Sequence, residues 1–485
     1  MIESPLLERA EGYIGGQWIG KGSGGTLSVT NPATGETLAE VPALGAAETE
    51  EAIAAASRAL NLQEPVSLDE RRRWLEGVRD ALKEEREEIG RILCLEHGKP
   101  LKEAVGEVDY AAGFFNYCAN YIDQLAPHTI PETPKDCTWT VHYRPIGVAG
   151  LITPWNFPIG MIAKKLSAAL AGGAPSVIKP AEDTPLTMIA AFRAIHDRNV
   201  LPKGMINLVM GPPKPIGDTL CQNPDVTMIS FTGSTGVGQH LMRECAGRVK
   251  KLALELGGNA PFIVFDDADV DDAITQLIGN KFRGGGQTCV CANRIFVQSG
   301  IADTFAERLA EKVAALKVGD GMQEGTDIGP LINQAGFDKV RRHVKDALDK
   351  GGTLKAGQHP DSLPESGSLF YPPTLVTGVT PDMQCCDEET FGPFVPMATF
   401  ETEEDVLAAA NDTDYGLASY LFTRDEARAQ RMIPAMRFGH VGWNTGTGPT
   451  PEAPFGGMKL SGVGREGGLE GLFEFVEPQT VPRSY

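Results

Sequence analysis

Short apolar runs bounded by turn residues recur through the middle of the chain. They cover Ile146–Ile152, Ala174–Pro180, Ile206–Gly211 and Val226–Gly233, and a helical stretch, Met161–Leu170, lies between the first two. Continuous apolar strands that alternate with helices are typical of a parallel sheet with both faces buried. This pattern predicts an α/β fold.

The N-terminal third carries helical patterns instead. Ala47–Leu60 is an alanine-rich helix, and Ser67 opens a capping-box spacing that predicts an amphipathic helix running to Glu96. Gly98 stands where a glycine ends a helix, and Leu101–Asp123 predicts a further helix.

Three other stretches complete the pattern. Tyr13–Ile19 predicts short strands around a Gly-Gly turn, and a second alternation of strands and helices begins at Ala260–Phe265. Trp443–Gly468 is long, irregular and rich in glycine and proline. A loop of that length in a compact protein is more often functional than accidental.

Composition narrows the class of protein. The 485 residues suggest roughly three domains. The net charge of −20 argues against nucleic-acid or anionic-membrane partners, which need clustered cations. No apolar run reaches the length of a membrane span, and the N-terminus lacks the features of a signal peptide. Nine cysteines without CxxC spacing indicate free thiols in the cytoplasm and no metal site.

The run Gly284–Cys289 places three glycines before a thiol. This context predicts a lowered pKa and a nucleophilic role for Cys289, with a helix beginning soon afterwards. The alternative is that Cys289 is a small packed side chain, as we expect for most of the other cysteines. For Cys291, the same two roles, a reactive thiol and a packed side chain, are both compatible with the sequence.

Polar residues at predicted strand ends are further candidates. Glu255 lies just before a glycine pair and is a candidate general base. The alternative is that it is a glutamate without a catalytic role at a strand–loop junction. Asn156, in a proline-rich loop, is a candidate oxyanion donor or a loop-stabilising amide. Lys179 and Glu182 follow a predicted strand and could hydrogen-bond the ribose of a cofactor. The alternative is that they are surface residues at the end of the strand. Gly233 lies where a helix is predicted to begin. This helix start either binds a pyrophosphate or is only a turn that opens the helix.

The order of these motifs resembles the aldehyde dehydrogenase superfamily from about Tyr13 to Glu477. The motifs are ITPWNFP, KPAE, FTGST, ELGGNAP, GQTCVCANR, EETFGPF and PFGGMKLSGVGREGG. The resemblance implies a Rossmann-type cofactor domain at 1–126 and 145–257, and a catalytic α/β domain at 258–460. It implies a small β oligomerisation element at 127–144 and 461–485, whose first part pairs with the C-terminal segment of a neighbour. A homodimer or homotetramer is therefore expected.

The resemblance also implies the reaction. Cys289 attacks an aldehyde, and Asn156 with the Cys289 backbone N–H holds the oxyanion. Hydride passes to the nicotinamide, Glu255 activates water to hydrolyse the thioester, and Glu466 relays protons. The implied cofactor contacts are Ile152, Trp155, Lys179, Glu182, Gly233, Ser234, Leu256, Glu389 and Phe391. NAD is expected over NADP, because Glu182 would repel a 2′-phosphate.

Within the superfamily, KFRGGGQTCVCANR is most similar to succinate-semialdehyde dehydrogenases. The resemblance implies that Arg283 binds a substrate carboxylate, which suits a guanidinium fork. Lys164 stands where these relatives have a second arginine, and Thr450 or Pro449 where they have a serine. An acidic semialdehyde such as succinate semialdehyde is expected. An ion-paired Arg283, an apolar or aromatic aldehyde, a non-catalytic relative and a coenzyme A-acylating enzyme are the alternatives.

The Cys-Val-Cys spacing resembles a redox switch of some succinate-semialdehyde dehydrogenases. It implies that Cys289 and Cys291 form a reversible inactivating disulfide. The alternative is that Cys291 is a packed side chain.

Overall fold

A computed structural model describes residues 2–61 and 66–484. Positions 1, 62–65 and 485, which the predicted domain ranges include, lie outside the described residues. The strands, in chain order, are β1 (Gly12–Ile14), β2 (Gln17–Ile19), β3 (Thr26–Thr30), β4 (Thr37–Pro42), β5 (His128–Thr129), β6 (Cys137–Pro145), β7 (Val148–Ile152), β8 (Ser176–Lys179), β9 (Ile206–Leu208), β10 (Val226–Thr232), β11 (Lys251–Glu255), β12 (Ala260–Val264), β13 (Ala292–Gln298), β14 (Thr353–Ala356), β15 (Thr374–Thr377), β16 (Phe394–Phe400), β17 (Ala418–Phe422), β18 (His440–Trp443), β19 (Gly462–Val463) and β20 (Val476–Ser484).

The α-helices alternate with these strands over most of the chain. They are α1 (Ala46–Asn61), α2 (Leu68–Glu84), α3 (Arg86–His97), α4 (Leu101–Tyr121), α5 (Gly160–Gly172), α6 (Leu186–Arg198), α7 (Pro213–Gln222), α8 (Thr235–Ala246), α9 (Val270–Lys281), α10 (Ser299–Ala314), α11 (Gln334–Asp349), α12 (Gln384–Asp387), α13 (Glu403–Asn411), α14 (Glu426–Ala435) and α15 (Gly468–Phe473).

The first large sheet has the strand order β19-β11-β10-β7-β8-β9-β1-β2, with a parallel centre and antiparallel edges. Alternate residues of its central strands enter two apolar clusters. One cluster contains α2 to α6, and the other contains α1, α7 and α8. Burial on both faces explains the continuous apolar runs in the sequence, and the prediction of an α/β fold is confirmed.

The second large sheet has the order β14-β15-β16-β13-β12-β17-β18 and is parallel except at β14. Helices α9 and α10 cover one face, and α13 and α14 pack with residues of the other. A smaller sheet joins β20, β6 and β5. Here β6 pairs with β20 of the same chain along its whole length. The expectation that this segment pairs with the C-terminal strand of a neighbour is therefore wrong.

Parallel strands bring distant motifs to one sheet edge. Ile152, Lys179, Thr232 and Glu255 each end a neighbouring strand of the first sheet. Because parallel strands share their direction, these four carboxyl ends lie along the same edge. That edge is where the polar candidates collect.

Two local predictions are wrong. The helix expected to run to Glu96 is divided, because Glu85 leaves helical geometry (φ −98°, ψ 15°) between α2 and α3. The break lets α3 approach α4 closely at Gly90, where an added Cβ would lie 2.5 Å from Val105 Cγ2. Strand β13, and no helix, follows Cys289, because its apolar β-branched residues are buried beside β12 and β16. In the described part of the chain, no helix is long and apolar enough to cross a bilayer.

Candidate active site

A cavity of about 250 Å³ lies at the carboxyl edge of the first sheet. Helices α4 and α5, the ends of β10 and β11, and loops around residues 283–290 and 449–466 line it. The residues predicted from the sequence that line it include Cys289, Glu255, Glu466, Lys164 and Arg283. These residues are up to 302 positions apart in the chain but share one cavity.

The segment before Cys289 takes a shape that only glycine adopts readily. Gly284, Gly285 and Gly286 have φ values of +58°, +68° and +74°. Three consecutive left-handed residues would strain any side chain with a Cβ. A Cβ at Gly258 would lie 2.6 Å from the Cys289 carbonyl oxygen, so this second glycine also permits the loop to approach.

The environment of Cys289 differs from the expectation. The side chain is partly buried, and burial raises the pKa of its thiol to about 12. The nearby Lys164 ammonium acts in the opposite direction but does not compensate. The expectation of a lowered pKa is therefore wrong for this structure, whose buried surroundings favour the thiol over the thiolate. A nucleophilic role requires that its proton be removed during the reaction.

Glu255 is the least satisfied carboxyl group of the cavity. It is 5% exposed, and neither carboxyl oxygen has a hydrogen-bond partner among the described residues. Burial raises its pKa well above the usual range, and the charge of Glu466 adds to this, while Lys164 and Lys165 act against it. A carboxylate with a raised pKa and free lone pairs suits a general base.

Glu466 lies in a small cluster of charges. Its Oε1 accepts a hydrogen bond from Lys165, and its Oε2 lies 3.8 Å from Lys164 Nζ. Lys165 Nζ also donates to Thr232 Oγ1 at 2.7 Å. The sequence reading missed Lys165 and Thr232. Two adjacent lysines in a fully buried helix whose other residues are apolar except for Ser167 were the available signal.

Lys164 keeps its charge despite burial. Burial alone would lower its pKa, but Tyr110, Glu466 and the other acidic groups of the cavity raise it above its ordinary value. Its Nζ also lies 4.7 Å from the ring centre of Phe455. Lys164 is thus a cation whose nearest carboxylate belongs to Glu466.

Asn156 is buried and tied to the nucleophile loop. Its Nδ2 donates to the Gln287 carbonyl oxygen at 2.9 Å, and its Oδ1 has no partner within the described part of the protein. One amide hydrogen is therefore committed to the loop that carries Cys289. The second hydrogen remains available for an oxyanion.

Arg283 is exposed, and its guanidinium carbon lies 5.2 Å from the ring centre of Phe157. Within residues 2–61 and 66–484 it has no ion pair and no hydrogen bond, so the ion-pair alternative has no support. Pro449 lines the cavity beside it, whereas Thr450 does not. The Thr450 hydroxyl donates instead to Glu452.

Five of the residues predicted to contact the cofactor lie along the sheet edge, with Lys179 and Glu182 predicted for the adenosine ribose. Lys179 Nζ lies 3.2 Å from Glu182 Oε1. Ser234 precedes α8, and its side chain makes no capping hydrogen bond. At Gly233 an added Cβ would lie 2.4 Å from Phe231 Cζ, which leaves room only for glycine. Open backbone N–H groups at this helix start fit a pyrophosphate, and Ile152 ends the strand next to β8.

Four further residues are predicted to contact the cofactor, and the resemblance assigns two of them, Glu389 and Phe391, to its nicotinamide part. Glu389 Oε1 accepts from the Gly258 N–H at 3.2 Å, and burial raises the pKa of Glu389 to about 7. Trp155 and Phe391 pack edge to face at 5.6 Å. Leu256 lies against Gly238 of α8, where a Cβ would lie 2.4 Å from a leucine methyl carbon. Leu256 thus packs on the same helix, α8, whose start suits a pyrophosphate.

Comparison with known proteins agrees with this geometry. The chain matches the aldehyde dehydrogenase family over residues 18–481. It is 47% identical to the mitochondrial succinate-semialdehyde dehydrogenase of Arabidopsis thaliana over 99% of this chain and 90% of that protein. It is 44% identical to the succinate-semialdehyde dehydrogenase (NADP(+)) of Escherichia coli strain K12, over 97% of each.

Among solved structures, an oxidoreductase from Marinobacter aquaeolei superposes with a TM-score of 0.98. It shares 66% identity, and the match covers all of both chains. The motifs, the two-sheet architecture and these matches extend over nearly the whole sequence. The chain belongs to the aldehyde dehydrogenase family.

Proposed function

We propose that the protein oxidises an acidic semialdehyde, such as succinate semialdehyde, to the corresponding dicarboxylate with NAD. The observation that supports this best is the shared cavity of Cys289, Glu255 and Arg283. It combines a nucleophile, a base and a cation that has no ion-pair partner among the described residues.

The first half of the reaction uses the thiol. Cys289 Sγ bonds to the aldehyde carbon, its proton leaves to a base, and the carbonyl oxygen becomes an oxyanion. The Asn156 amide and the Cys289 N–H hold that oxyanion. Bound NAD supplies the hydride acceptor, and the residues of the sheet edge and of the Glu389 loop would hold it. The carbon is left as a thioester on Cys289.

The second half uses the carboxyl groups. Glu255 takes a proton from water as the water oxygen attacks the thioester carbon, and the carbon–sulfur bond then breaks. Cys289 is restored and the acid product leaves. The proton passes from Glu255 toward Glu466, which Lys165 and Lys164 hold beside the cavity.

Arg283 carries the proposed substrate preference. A hydrogen bond to a charged group contributes about 1.5–3 kcal/mol, so a guanidinium–carboxylate contact favours an acidic aldehyde by roughly 10- to 150-fold. Lys164 is already close to Glu466, which leaves Arg283 as the main anchor. The names of the plant and E. coli relatives support a semialdehyde substrate.

The proposals for the choice of cofactor, the domains, the oligomeric state and the cellular compartment rest on separate observations. Glu182 favours NAD, although the name of the E. coli relative specifies NADP. We assign residues 1–126 and 145–257 to cofactor binding, 258–460 to catalysis, and 127–144 with 461–485 to assembly. Strand β20 is exposed beyond Val476, which suits a homodimer or homotetramer. The nine free cysteines suit the cytoplasm.

A matched substrate pair tests the proposal. We expect kcat/KM for succinate semialdehyde to exceed that for butanal at least tenfold, and the ratio to fall toward one in Arg283→Met. Arg308→Met, which removes an exposed arginine paired with Asp271, is the control and should keep the wild-type ratio. Equal use of both aldehydes by the wild type, or an unchanged ratio in Arg283→Met, would overturn the acidic substrate.

A further inference from the structure

A buried ion pair in the wall of the cavity has no part in the steps above. Lys99 Nζ lies 2.7 Å from Glu107 Oε2, and both side chains are 1% exposed. Buried ion pairs contribute little net stability, because desolvation offsets their attraction. The remaining contacts of the two side chains indicate a role other than stability.

Those contacts go to both ends of the loop that carries Asn156. Lys99 Nζ donates to the Asn156 carbonyl oxygen at 2.8 Å. Glu107 Oε1 accepts from the backbone N–H groups of Ile159 and Gly160, at 3.1 and 3.0 Å. The pair thus fixes the backbone of Asn156 and the start of α5 to α4 and the turn that precedes it.

The same helix also holds the nucleophile loop. Glu103, one turn before Glu107 on α4, accepts from the Gly284 N–H at 2.8 Å. Gln287 Nε2 donates to the Gly284 carbonyl at 3.0 Å, and the Gln287 carbonyl accepts from Asn156 Nδ2. The hydrogen bonds form a closed ring from α4 through the Asn156 loop to the Cys289 loop and back to α4.

We infer that Lys99 and Glu107 are positioning residues that hold the Asn156 amide in register with Cys289. The inference rests on the proposed function of Asn156 as oxyanion donor. Among the described residues, the hydrogen bond from Asn156 to the nucleophile loop comes from its side chain, so its backbone needs a separate anchor. A displacement of about 1 Å can reduce a rate about 100-fold, and the pair is the anchor that prevents it.

A double replacement tests the inference while avoiding an unpaired buried charge. Lys99→Met with Glu107→Leu removes both charges and keeps the side-chain volume similar. The probe is acylation of Cys289 by p-nitrophenyl acetate, which needs the thiol and the oxyanion donor but no cofactor. We expect the acylation rate to fall 10- to 100-fold, and the rate of Cys289 alkylation by iodoacetamide, which forms no oxyanion, to change less than threefold.

The role of Asn156 is tested by a cycle of variants. In an Asn156→Ala background the same double replacement should reduce acylation less than threefold, because the group it positions is already absent. Arg91→Met with Glu88→Gln, an ion pair on α3, is the control and should leave acylation unchanged. If the effects of the pair and of Asn156→Ala multiply, the inference is overturned.

Two other results would also overturn it. One is unchanged acylation in the double variant, and the other is an equal loss of acylation and alkylation, which would indicate general disruption. Circular dichroism and the melting temperature check the fold. Should the double variant not fold, Glu107→Gln is measured by the same rates. Failure of the proposed function would instead appear as normal acylation in Asn156→Ala alone, or as turnover without Cys289.

Discussion

Glu255 and Glu466 lie on the same cavity, but only Glu466 has cationic partners. Lys165 donates to Glu466 and Lys164 lies 3.8 Å away, whereas both oxygens of Glu255 lack a hydrogen-bond partner in the described residues. The charge of Glu466 also raises the pKa of Glu255. The two carboxyl groups of one cavity thus lie in different electrostatic surroundings, an arrangement that suits separate roles in proton transfer.

Glu255→Gln should separate the two halves of the reaction. The amide fills the same space but cannot accept a proton from water, so we expect a rapid first turnover of NADH followed by a stalled thioester. Stopped-flow absorbance should show a burst, with steady turnover at least 100-fold below wild type. Unchanged steady turnover would exclude Glu255 as the base.

Glu466→Gln should change the pH dependence of turnover. Glu255 must be ionised to act, so kcat should rise with pH through its raised pKa. The charge of Glu466 is one of the causes that raise the pKa of Glu255, so the loss of that charge should lower this pKa. We therefore expect the midpoint of the kcat profile to move to lower pH, even if kcat itself falls. A shift to higher pH would contradict the coupling.

Cys289 should behave as a thiol in the free enzyme. With a pKa of about 12, its rate of alkylation by iodoacetamide should rise about tenfold per pH unit from pH 7 to 10, without a plateau. Lys164→Met removes the cation that lowers this pKa and should slow alkylation further. The extent of alkylation is measured by mass spectrometry of the Cys289 peptide. In a separate assay, Cys289→Ala should abolish turnover. A plateau below pH 8 would show a lower pKa.

The sequence predicts local features well and distant partnerships poorly. Gly284–Gly286 and the strand ends at Lys179 and Glu255 follow from short motifs, because backbone geometry is encoded nearby. Lys165 and Thr232 are 67 residues apart, and no short motif connects them. The raised pKa of Cys289 depends on burial by several elements, so the glycine motif alone suggested the wrong direction.

Glu182→Ser should relax the cofactor preference. Its carboxylate repels a 2′-phosphate by about 1–4 kcal/mol at 4 Å, depending on solvent access, so removal should raise the NADP/NAD ratio of kcat/KM at least fivefold. Lys179 remains to attract the phosphate. Asp183→Asn, which neutralises the adjacent exposed carboxylate, is the control and should change the ratio less. A wild type that uses NADP better than NAD would contradict the proposal.

Cys289 and Cys291 should form a reversible inactivating disulfide. The Cys291 N–H donates to the Thr288 carbonyl at 3.3 Å, so the segment is a turn and not an extended strand. In the resting structure the Cys291 thiol donates to the Gly286 carbonyl at 3.3 Å and lies 3.7 Å from Lys281 Nζ. Both contacts must break before the sulfurs join. The ring closed by adjacent-but-one cysteines is strained, and strained disulfides are easily reduced.

Peroxide treatment tests this disulfide. Two thiols give up two electrons and two protons, and hydrogen peroxide becomes two waters. Wild-type activity should be lost and then restored by dithiothreitol. In Cys291→Ser, Cys289 should pass to irreversible sulfinic or sulfonic acid, so dithiothreitol should restore little activity. Cys386→Ser, which alters a thiol outside the cavity, is the control and should recover as the wild type does. Equal recovery in Cys291→Ser would exclude Cys291 as the partner and leave it as a packed side chain held by Gly286 and Lys281.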